Sequence, residues 1–204
     1  MTNTGSIRIP TVTGEQVPSK TYLICMMRTT STRPNAISPR LPQSALEFIE
    51  PPYSLDTLKQ IHRTLFSAIY SWAGEIRTVK ISKGGNQFCV PDRIEPEAAR
   101  EFRKVESNGW FEGYSRDLLL KAVAESYSTL NVAHPFREGN GRAQRMLFEW
   151  IIINAGYEIN WWEVDKQEWI KANHQSFHGD DGPLIQIFDR CIGLPIMEDN
   201  ADDA

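Results

Sequence analysis

The segment that decides the fold is NVAHPFREGNGRAQRMLFEWIIINAG, which runs from Asn131 to Gly156. Its second part, residues 141–155, is apolar on nearly every side, and a helix with that pattern has to be buried. We therefore predict that this helix is the central element of the fold and that it ends at Gly156.

Apolar residues at helical spacing predict further helices on both sides of the central one. The first is expected to begin after the N-cap Ser54, to continue through Trp72 and to end at Gly74. The others are expected to begin at Pro96, to span residues 117–132, to begin after the N-cap Asp165, and to span residues 183–191.

A β-hairpin is predicted between the first two of these helices. Val79 and Ile81 alternate with polar residues, and Phe88 and Val90 alternate again after a KGGN turn. The predicted fold class is therefore mainly α, with a helical bundle around a buried central helix and one projecting hairpin.

The composition is that of a globular protein and fits a single domain. The chain has 204 residues, of which 41% are hydrophobic and 24% are charged. We expect an irregular segment over residues 1–53, with a short ordered piece near Thr21–Met27, because this part is rich in proline, serine and threonine. The helical domain is expected over residues 54–193 and an acidic tail over residues 194–204.

The charge balance excludes some classes of partner. The formal net charge is -4, with 22 basic and 26 acidic residues, whereas nucleic-acid binders usually carry a basic excess. The N-terminal residues MTNTGSIRIPTVTGE contain no apolar core region, so we expect no signal peptide, and no apolar run is long enough to span a membrane. Its three cysteines lie far apart, which is typical of a reducing compartment. We therefore expect a cytoplasmic protein that binds neither membranes nor nucleic acids directly.

The Gly-Asn-Gly loop at residues 139–141 leads into the N-terminus of the central helix. Glycines let backbone N–H groups converge, and a helix N-terminus adds free donors and partial positive charge, so this loop predicts an anion site. Arg142 and Arg145 supply guanidinium groups suited to phosphate oxygens.

Two titratable residues accompany this anion site. Glu138 is the only acid within it and is suited to hold Mg²⁺ that bridges phosphates. His134 lies four residues earlier, where a neutral imidazole can take a proton from a hydroxyl group. Each residue alone has an ordinary structural explanation, but together they favour phosphate-transfer chemistry.

The segment HPFREGNGRAQR resembles the signature of Fic-domain proteins, HxFx(D/E)GNGRxxR, at every fixed position. The matching residues are His134, Phe136, Glu138, Gly139, Asn140, Gly141, Arg142 and Arg145. The resemblance extends from about Ser54 to Ile192 and includes LFSAIYSWAGEIRTV and INAGY.

This resemblance implies a protein adenylyltransferase that transfers AMP from ATP to a Tyr, Thr or Ser hydroxyl of a target protein. By the resemblance, His134 is the general base, Glu138 holds Mg²⁺, and Phe136 packs the loop on the core. The residues expected to bind the phosphates are Gly139, Asn140, Gly141, Arg142 and Arg145.

The resemblance also assigns roles outside the signature. The hairpin at residues 78–90 would be a flap on which a target segment docks as an added strand. Its turn would close over the nucleotide through Lys83, Gly84, Gly85 and Asn86. Trp169 and Asn173 are expected to form part of the adenine pocket.

Two features bear on the type of Fic protein. The related death-on-curing toxins carry lysine in place of Gly141 and act as kinases, so glycine favours AMP transfer. Many Fic proteins contain an inhibitory pattern (S/T)xxxE(G/N), but Thr11–Glu15 and Ser71–Glu75 are followed by Gln16 and Ile76. The chain therefore resembles bacterial toxins held by a small antitoxin, whose glutamate would pair with Arg145. A degenerate motif within residues 1–50 stays open.

Two alternative functions remain at this point. The enzyme could use another donor, such as UTP, GTP or a phosphocholine nucleotide, since the sequence barely constrains the base pocket. The chain could instead be a non-enzymatic Fic-fold binding module, although loss of His134 or Glu138 would be expected in that case and neither is lost.

Overall fold

The structure is a computed structural model that describes residues 46–161 and 164–196. The ordered piece expected near Thr21–Met27, residues 1–45 of the predicted irregular segment and most of the predicted acidic tail lie outside the described residues. The domain boundaries therefore stay predictions.

Helices dominate the described part of the chain, and two small antiparallel sheets accompany them. The elements in chain order are α1 (Leu55–Phe66), β1 (Ser82–Lys83), β2 (Asn86–Gln87), α2 (Pro91–Ser107), α3 (Arg116–Ala133), α4 (Asn140–Asn154), β3 (Tyr157–Ile159), α5 (Lys166–Phe177), α6 (Gly182–Cys191) and β4 (Ile192–Pro195). A short 3₁₀ turn, Gly109–Phe111, separates α2 from α3. None of these helices is long and apolar enough to cross a membrane.

Helix α4 is the central element, as predicted. Every residue of it is buried except Gly141 and Arg142, and it packs against α1, α3 and β3. Its two least buried residues therefore lie in its first turn, where the helix N-terminus reaches the surface. The predicted fold, mainly α around a buried central helix with one hairpin, is confirmed.

Helix α1 begins as predicted but ends earlier. Ser54 accepts a hydrogen bond from the backbone of Thr57 in a capping box, and the helix ends at Phe66 instead of at Gly74. Residues 67–74 form turns that fold back onto α1. Gly74 has φ 82°, and a Cβ there would lie 2.8 Å from the Lys59 carbonyl oxygen, so this close return requires glycine.

Helix α2 begins at Pro91, so the prediction that Pro96 opens it was wrong. Both prolines lie near the N-terminus, but Pro91 occupies the first helical position, where a missing N–H costs nothing. Pro96 lies inside the helix with its ring exposed. Proline has no N–H, so it removes one helical hydrogen bond. The carbonyl that loses its partner lies in the first, solvent-facing turn.

The paired part of the hairpin is shorter than the alternation of apolar and polar residues predicts. Ser82 pairs with Gln87 and Lys83 with Asn86. Gly84 and Gly85 both have positive φ, 58° and 85°, as a two-residue type I′ turn requires.

The pairing of β3 with β4 was not predicted. It places residues 194 and 195, which were assigned to the tail, in a strand beside β3.

Candidate active site

The signature loop connects the end of α3 to the start of α4. His134 caps α3 in the left-handed conformation, with φ 45° and ψ 62°, and Gly139 precedes α4 with φ 83°. Asn140 ties the loop together, since its Oδ1 accepts from the Phe136 N–H at 2.8 Å and its Nδ2 donates to the Phe136 carbonyl at 2.7 Å. The Asn140 side chain therefore fixes the loop shape. Its expected contact with phosphates stays a prediction.

The His134 ring has a defined tautomer. Nδ1 lies 3.1 Å from the carbonyl oxygen of Asn131, which can only accept, so Nδ1 carries the proton and donates it. The lone pair is therefore on Nε2. The ring stacks on Phe88 of the hairpin, with centroids 3.8 Å apart and an angle of 14° between the planes.

The pKa of His134 is lowered to about 4, chiefly by burial and to a smaller extent by the positive charges of Arg77 and Lys83. The hydrogen bond to Asn131 and the charge of Glu138 act in the opposite direction but are outweighed. The imidazole is therefore neutral at pH 7. Together, the neutral ring and the Nε2 lone pair give this position the properties of a proton acceptor.

Arg77 is a site residue that the sequence did not reveal. It is 1% exposed, and its guanidinium donates to backbone carbonyls at the end of α3 and in both arms of the hairpin. The acceptors are the carbonyl oxygens of His134 at 2.8 Å, Val79 at 2.7 Å, Ala133 at 3.4 Å and Cys89 at 2.5 Å. The sequence places Arg77 in the alternation of Val79 and Ile81, but the structure buries Arg77 and leaves Val79 exposed, so this alternation did not reveal its role.

His62 of α1 is a second residue that was missed. It is fully buried, and the Gly74 N–H donates to its Nδ1 at 2.9 Å, so the proton is on Nε2. Nε2 then donates to the carbonyl oxygen of Glu138, also at 2.9 Å. The ring stacks on Phe136 with centroids 3.9 Å apart. His62 thus supports the signature loop from behind.

Close packing behind the loop also explains Gly139. A Cβ at this residue would lie 2.6 Å from Cε2 of Phe66 and 3.1 Å from Nε2 of His62. Its positive φ adds a second reason for glycine. The loop can approach α1 this closely only without a side chain there.

Glu138 and Arg142 form the exposed edge of the site. The Glu138 carboxylate accepts from the Gly139 N–H at 2.9 Å and lies 3.9 Å from the guanidinium of Arg142. Arg142 packs over the Phe66 ring at 4.4 Å from the ring centroid. Both side chains are open to a ligand, since Glu138 is 64% and Arg142 46% exposed.

The donor set at Glu138 fits a magnesium ion held jointly with a nucleotide. In residues 46–161 and 164–196, no group of three or more His, Cys, Asp or Glu side chains could hold a metal ion. Mg²⁺ is commonly bound by one or two carboxylates together with substrate phosphates, and one exposed carboxylate beside an anion site suits that arrangement.

Arg145 is one turn deeper in α4 and is only 7% exposed. Its guanidinium lies 5.7 Å from the centroid of the Trp169 ring and interacts with the Tyr127 hydroxyl. Burial lowers its pKa, but an arginine side chain stays charged. The two arginines therefore differ: Arg142 lies at the surface, and Arg145 is a buried charge at the floor of the site.

Comparisons with known proteins identify the family of this domain. Residues 52–152 match the model of the Fic/DOC family. Over 138 residues the chain is 37% identical to the "Probable protein adenylyltransferase Fic" of Escherichia coli K12, covering 68% of this chain and 69% of that protein. This chain belongs to the Fic/DOC family.

Other members of the Fic/DOC family are also similar. The protein adenylyltransferase VbhT of Bartonella schoenbuchensis is 33% identical over 140 residues, which are 69% of this chain and 29% of that one. A crystal structure of an N-terminal Fic domain from Bartonella quintana with bound ADP has a TM-score of 0.66 and 28% identity, and it covers 72% of this chain and 77% of that one.

Trp169 and Asn173, both on α5 of this Fic domain, have partners of their own. Trp169 is buried and packs edge-on against Tyr127. Asn173 accepts from the Asn131 side chain at 3.2 Å and donates to the Trp169 carbonyl oxygen at 2.8 Å. The backbone carbonyl of the same Asn131 accepts from His134, so α5 is linked to the turn that contains His134. The expected adenine contacts stay a prediction.

The turn of the Fic-domain hairpin lies on the His134 side of the molecule. Lys83, Gly84 and Gly85 are exposed, and Asn86 is partly buried. The ammonium of Lys83 is near enough to lower the pKa of His134. The structure thus brings the hairpin turn towards His134, while its closure over a nucleotide stays a prediction.

Proposed function

We propose that this chain is a protein adenylyltransferase that transfers AMP from ATP to a hydroxyl group of a target protein, with His134 as the general base. The observation that carries the proposal is the neutral imidazole with a lone pair on Nε2 beside an anion-binding helix N-terminus. Relatives that are 33–37% identical are named protein adenylyltransferase or probable protein adenylyltransferase, which supports the same class of enzyme.

The reaction requires one proton acceptor and one leaving group. Nε2 of His134 takes the proton of a Tyr, Thr or Ser hydroxyl, and the oxygen attacks the α-phosphorus of ATP. The bond from the α-phosphorus to the bridging oxygen breaks, and pyrophosphate leaves with its electron pair. The negative charge of the phosphates raises the proton affinity of a ring whose pKa is otherwise about 4.

The first turn of α4 holds the phosphates in this proposal. The early N–H groups of a helix have no partner within it and point towards an anion. Arg142, exposed at the surface, reaches phosphate oxygens directly, and Arg145 provides a fixed positive charge below them. These groups stabilise the charge that accumulates on pyrophosphate as it leaves.

Glu138 would hold Mg²⁺ at the edge of the site. When bound, the ion neutralises phosphate charge and fixes the geometry of the polyphosphate. Two hydrogen bonds position that carboxylate. The Gly139 N–H donates to the carboxylate itself, and His62 donates to the Glu138 carbonyl.

We further propose that the target docks on the hairpin at residues 78–90. Its ladder pairs only two residues from each strand, which leaves backbone groups for an added strand. Val79 and Val90 are exposed apolar residues on the two arms and offer side-chain contacts to such a segment.

We also propose that the chain is a bacterial toxin of the cytoplasm and that a small antitoxin holds it inactive. It is supported by an intact signature without an (S/T)xxxE(G/N) pattern elsewhere in the sequence. The partner's glutamate would reach Arg145 over Gly141, which has no side chain. The Arg145 guanidinium lies next to this residue, because a Cβ built on Gly141 would be 3.6 Å from an Arg145 nitrogen. A bridge to that guanidinium would misalign the α-phosphate for attack.

The test is a pair of labelling reactions in bacterial lysate. Purified protein with Mg²⁺ and ATP labelled on the α-phosphate should label a protein, and ATP labelled on the γ-phosphate should not. Transfer of the γ-label would indicate a kinase. Binding of nucleotide without any transfer would favour the binding-module alternative, and faster transfer from UTP or GTP would favour another donor.

A further inference from the structure

Arg77 connects three parts of the molecule through one side chain. It lies between α1 and the hairpin, and its own N–H donates to the carbonyl oxygen of Pro135 at 2.8 Å. Its guanidinium bonds to carbonyls at the end of α3 and in the two arms of the hairpin. The hairpin and the turn that carries His134 are therefore held by the same planar group.

The carbonyls at the end of α3 are ones that a helix leaves unsatisfied. Ala133 and His134 belong to the last turn, whose carbonyl oxygens have no partner further along the helix. A buried cation beside a helix C-terminus also interacts favourably with the helix dipole. Arg77 thus caps α3 at the residue where the chain enters the left-handed conformation, which is unfavourable for a non-glycine residue.

The hairpin side of this connection has two further contacts with the same turn. The Cys89 N–H donates to the Val132 carbonyl at 3.1 Å, next to the point where the guanidinium contacts the Cys89 carbonyl. The Phe88 ring lies flat against the His134 imidazole and edge-on to Phe177 of α5. A movement of the hairpin base would therefore displace the ring that faces the imidazole.

We propose that Arg77 is a positioning residue that fixes the His134 turn to the base of the hairpin, so that the docked target segment and the imidazole share one rigid frame. This inference rests on the role of His134 in the proposed function. It adds that the base and the docking strand are aligned by the same guanidinium, with Phe88 completing the contact.

The chain offers a matched control at the opposite end of α3. Arg116 also donates to several backbone carbonyls, those of Asp189, Ile192 at 2.7 Å and Gly193 at 2.8 Å, and so connects α3 to α6 and β4. It lies far along α3 from His134. Loss of Arg116 should therefore remove hydrogen bonds to backbone carbonyls, together with an exposed ion pair to Asp189, without affecting the catalytic turn.

The experiment compares Arg77→Gln, Arg77→Lys and Arg116→Gln by thermal unfolding and by steady-state transfer to a protein target. Arg77→Gln should lower kcat on the order of 10²-fold, because misplacement of reacting groups by about 1 Å has effects of that size. The KM for ATP should change little. Arg77→Lys keeps the charge but lacks the planar fork, so it should recover only part of kcat.

Arg116→Gln should lower the melting temperature while leaving kcat unchanged. A kcat for Arg77→Gln that falls only with the folded fraction, or to the same extent as for Arg116→Gln, would overturn the inference. Full rescue by lysine would overturn it as well, because charge alone would then be sufficient.

If Arg77→Gln does not fold, Phe88→Leu decides, since this ring is partly buried and its replacement leaves the hydrogen bonds in place. It should reduce kcat at unchanged melting temperature, and a wild-type kcat would refute the shared frame. A wild-type protein that transfers no AMP to any target would instead contradict the proposed function itself.

Discussion

His134 at the start of the signature loop and His62, which packs against that loop, have similar surroundings but different hydrogen bonds. His62 and His134 both stack on a phenylalanine ring and both have a pKa lowered chiefly by burial. Behind the loop, both ring nitrogens of His62 are bonded to backbone groups. At the start of the loop, His134 uses Nδ1 for its backbone contact and carries its lone pair on Nε2.

This difference in hydrogen bonding indicates a supporting role for His62 and a reactive role for His134. A ring with two backbone partners has its position and its proton fixed, so His62 can only support the loop. A ring held through one nitrogen is oriented and still has a lone pair for a reaction. Burial and a shifted pKa alone would not separate the two residues, whereas their hydrogen bonds do.

The largest expected effect is the loss of transfer in His134→Ala. Removal of a general base typically lowers the rate by ~10²–10⁴-fold, and no second imidazole in the site can replace it. ATP binding, measured by calorimetry, should remain because in the proposed function the phosphate groups contact α4 and not this ring. Near-normal AMP transfer by the variant would show that another group is the base.

His62→Ala should act first on stability. It removes a buried ring and leaves the Gly74 N–H and the Glu138 carbonyl without their partner, and each unsatisfied buried group costs about 1–3 kcal/mol. The free energy of unfolding in urea should therefore fall by several kcal/mol, clearly more than for His134→Ala.

For activity, we expect the two variants to rank in the opposite order. His62→Ala should lower kcat less than His134→Ala does, through a less ordered Glu138 backbone. If His62→Ala left stability unchanged but abolished transfer in folded protein, His62 would belong to the chemistry and the comparison would fail.

A smaller effect is expected in the pH dependence of stability. The folded-state pKa of His134 is about 4, below its ordinary value of 6.5, and that of His62 is also lowered. Between these pH values the unfolded chain binds more protons than the folded one, so stability is full above about pH 6.5 and declines as the pH falls towards 4.

Urea unfolding of the wild type and of His134→Gln at about pH 7 and about pH 5 measures this effect. The glutamine variant should lose less stability between the two, because it has no imidazole to protonate at this position. Equal losses in both proteins would mean that the pKa of His134 is not lowered in the folded state.

The sequence predicted the fold of the segment from His134 into α4 well because its signal is local. Eight fixed positions within twelve residues specify the loop, and helical periodicity identifies the buried α4 that follows it. The pairing of β3 with β4 joins segments more than thirty residues apart, and periodicity within one segment contains no information on its partner. The early end of α1 likewise depends on tertiary packing, since the turn at Gly74 closes against His62 and Lys59.

The supporting residues were missed for a related reason. His62 lies four residues after Leu58 and four before Phe66, on the buried face of α1, so its position on an apolar face was a readable signal. Arg77 lies in an alternating stretch with Val79 and Ile81. Neither pattern predicts the contacts of these side chains with the carbonyls of Ala133, His134 and Glu138, because those residues lie in a distant segment of the chain.

The most direct test of the account is the tautomeric state of the imidazoles in solution. The chain has four histidines, so ¹⁵N-resolved NMR with one histidine-to-glutamine variant for each can assign every ring. At about pH 7, His134 should be neutral with its proton on Nδ1, and His62 should be neutral with its proton on Nε2. A His134 ring that is charged at this pH, or protonated on Nε2, would contradict the claim that this nitrogen is the proton acceptor for AMP transfer.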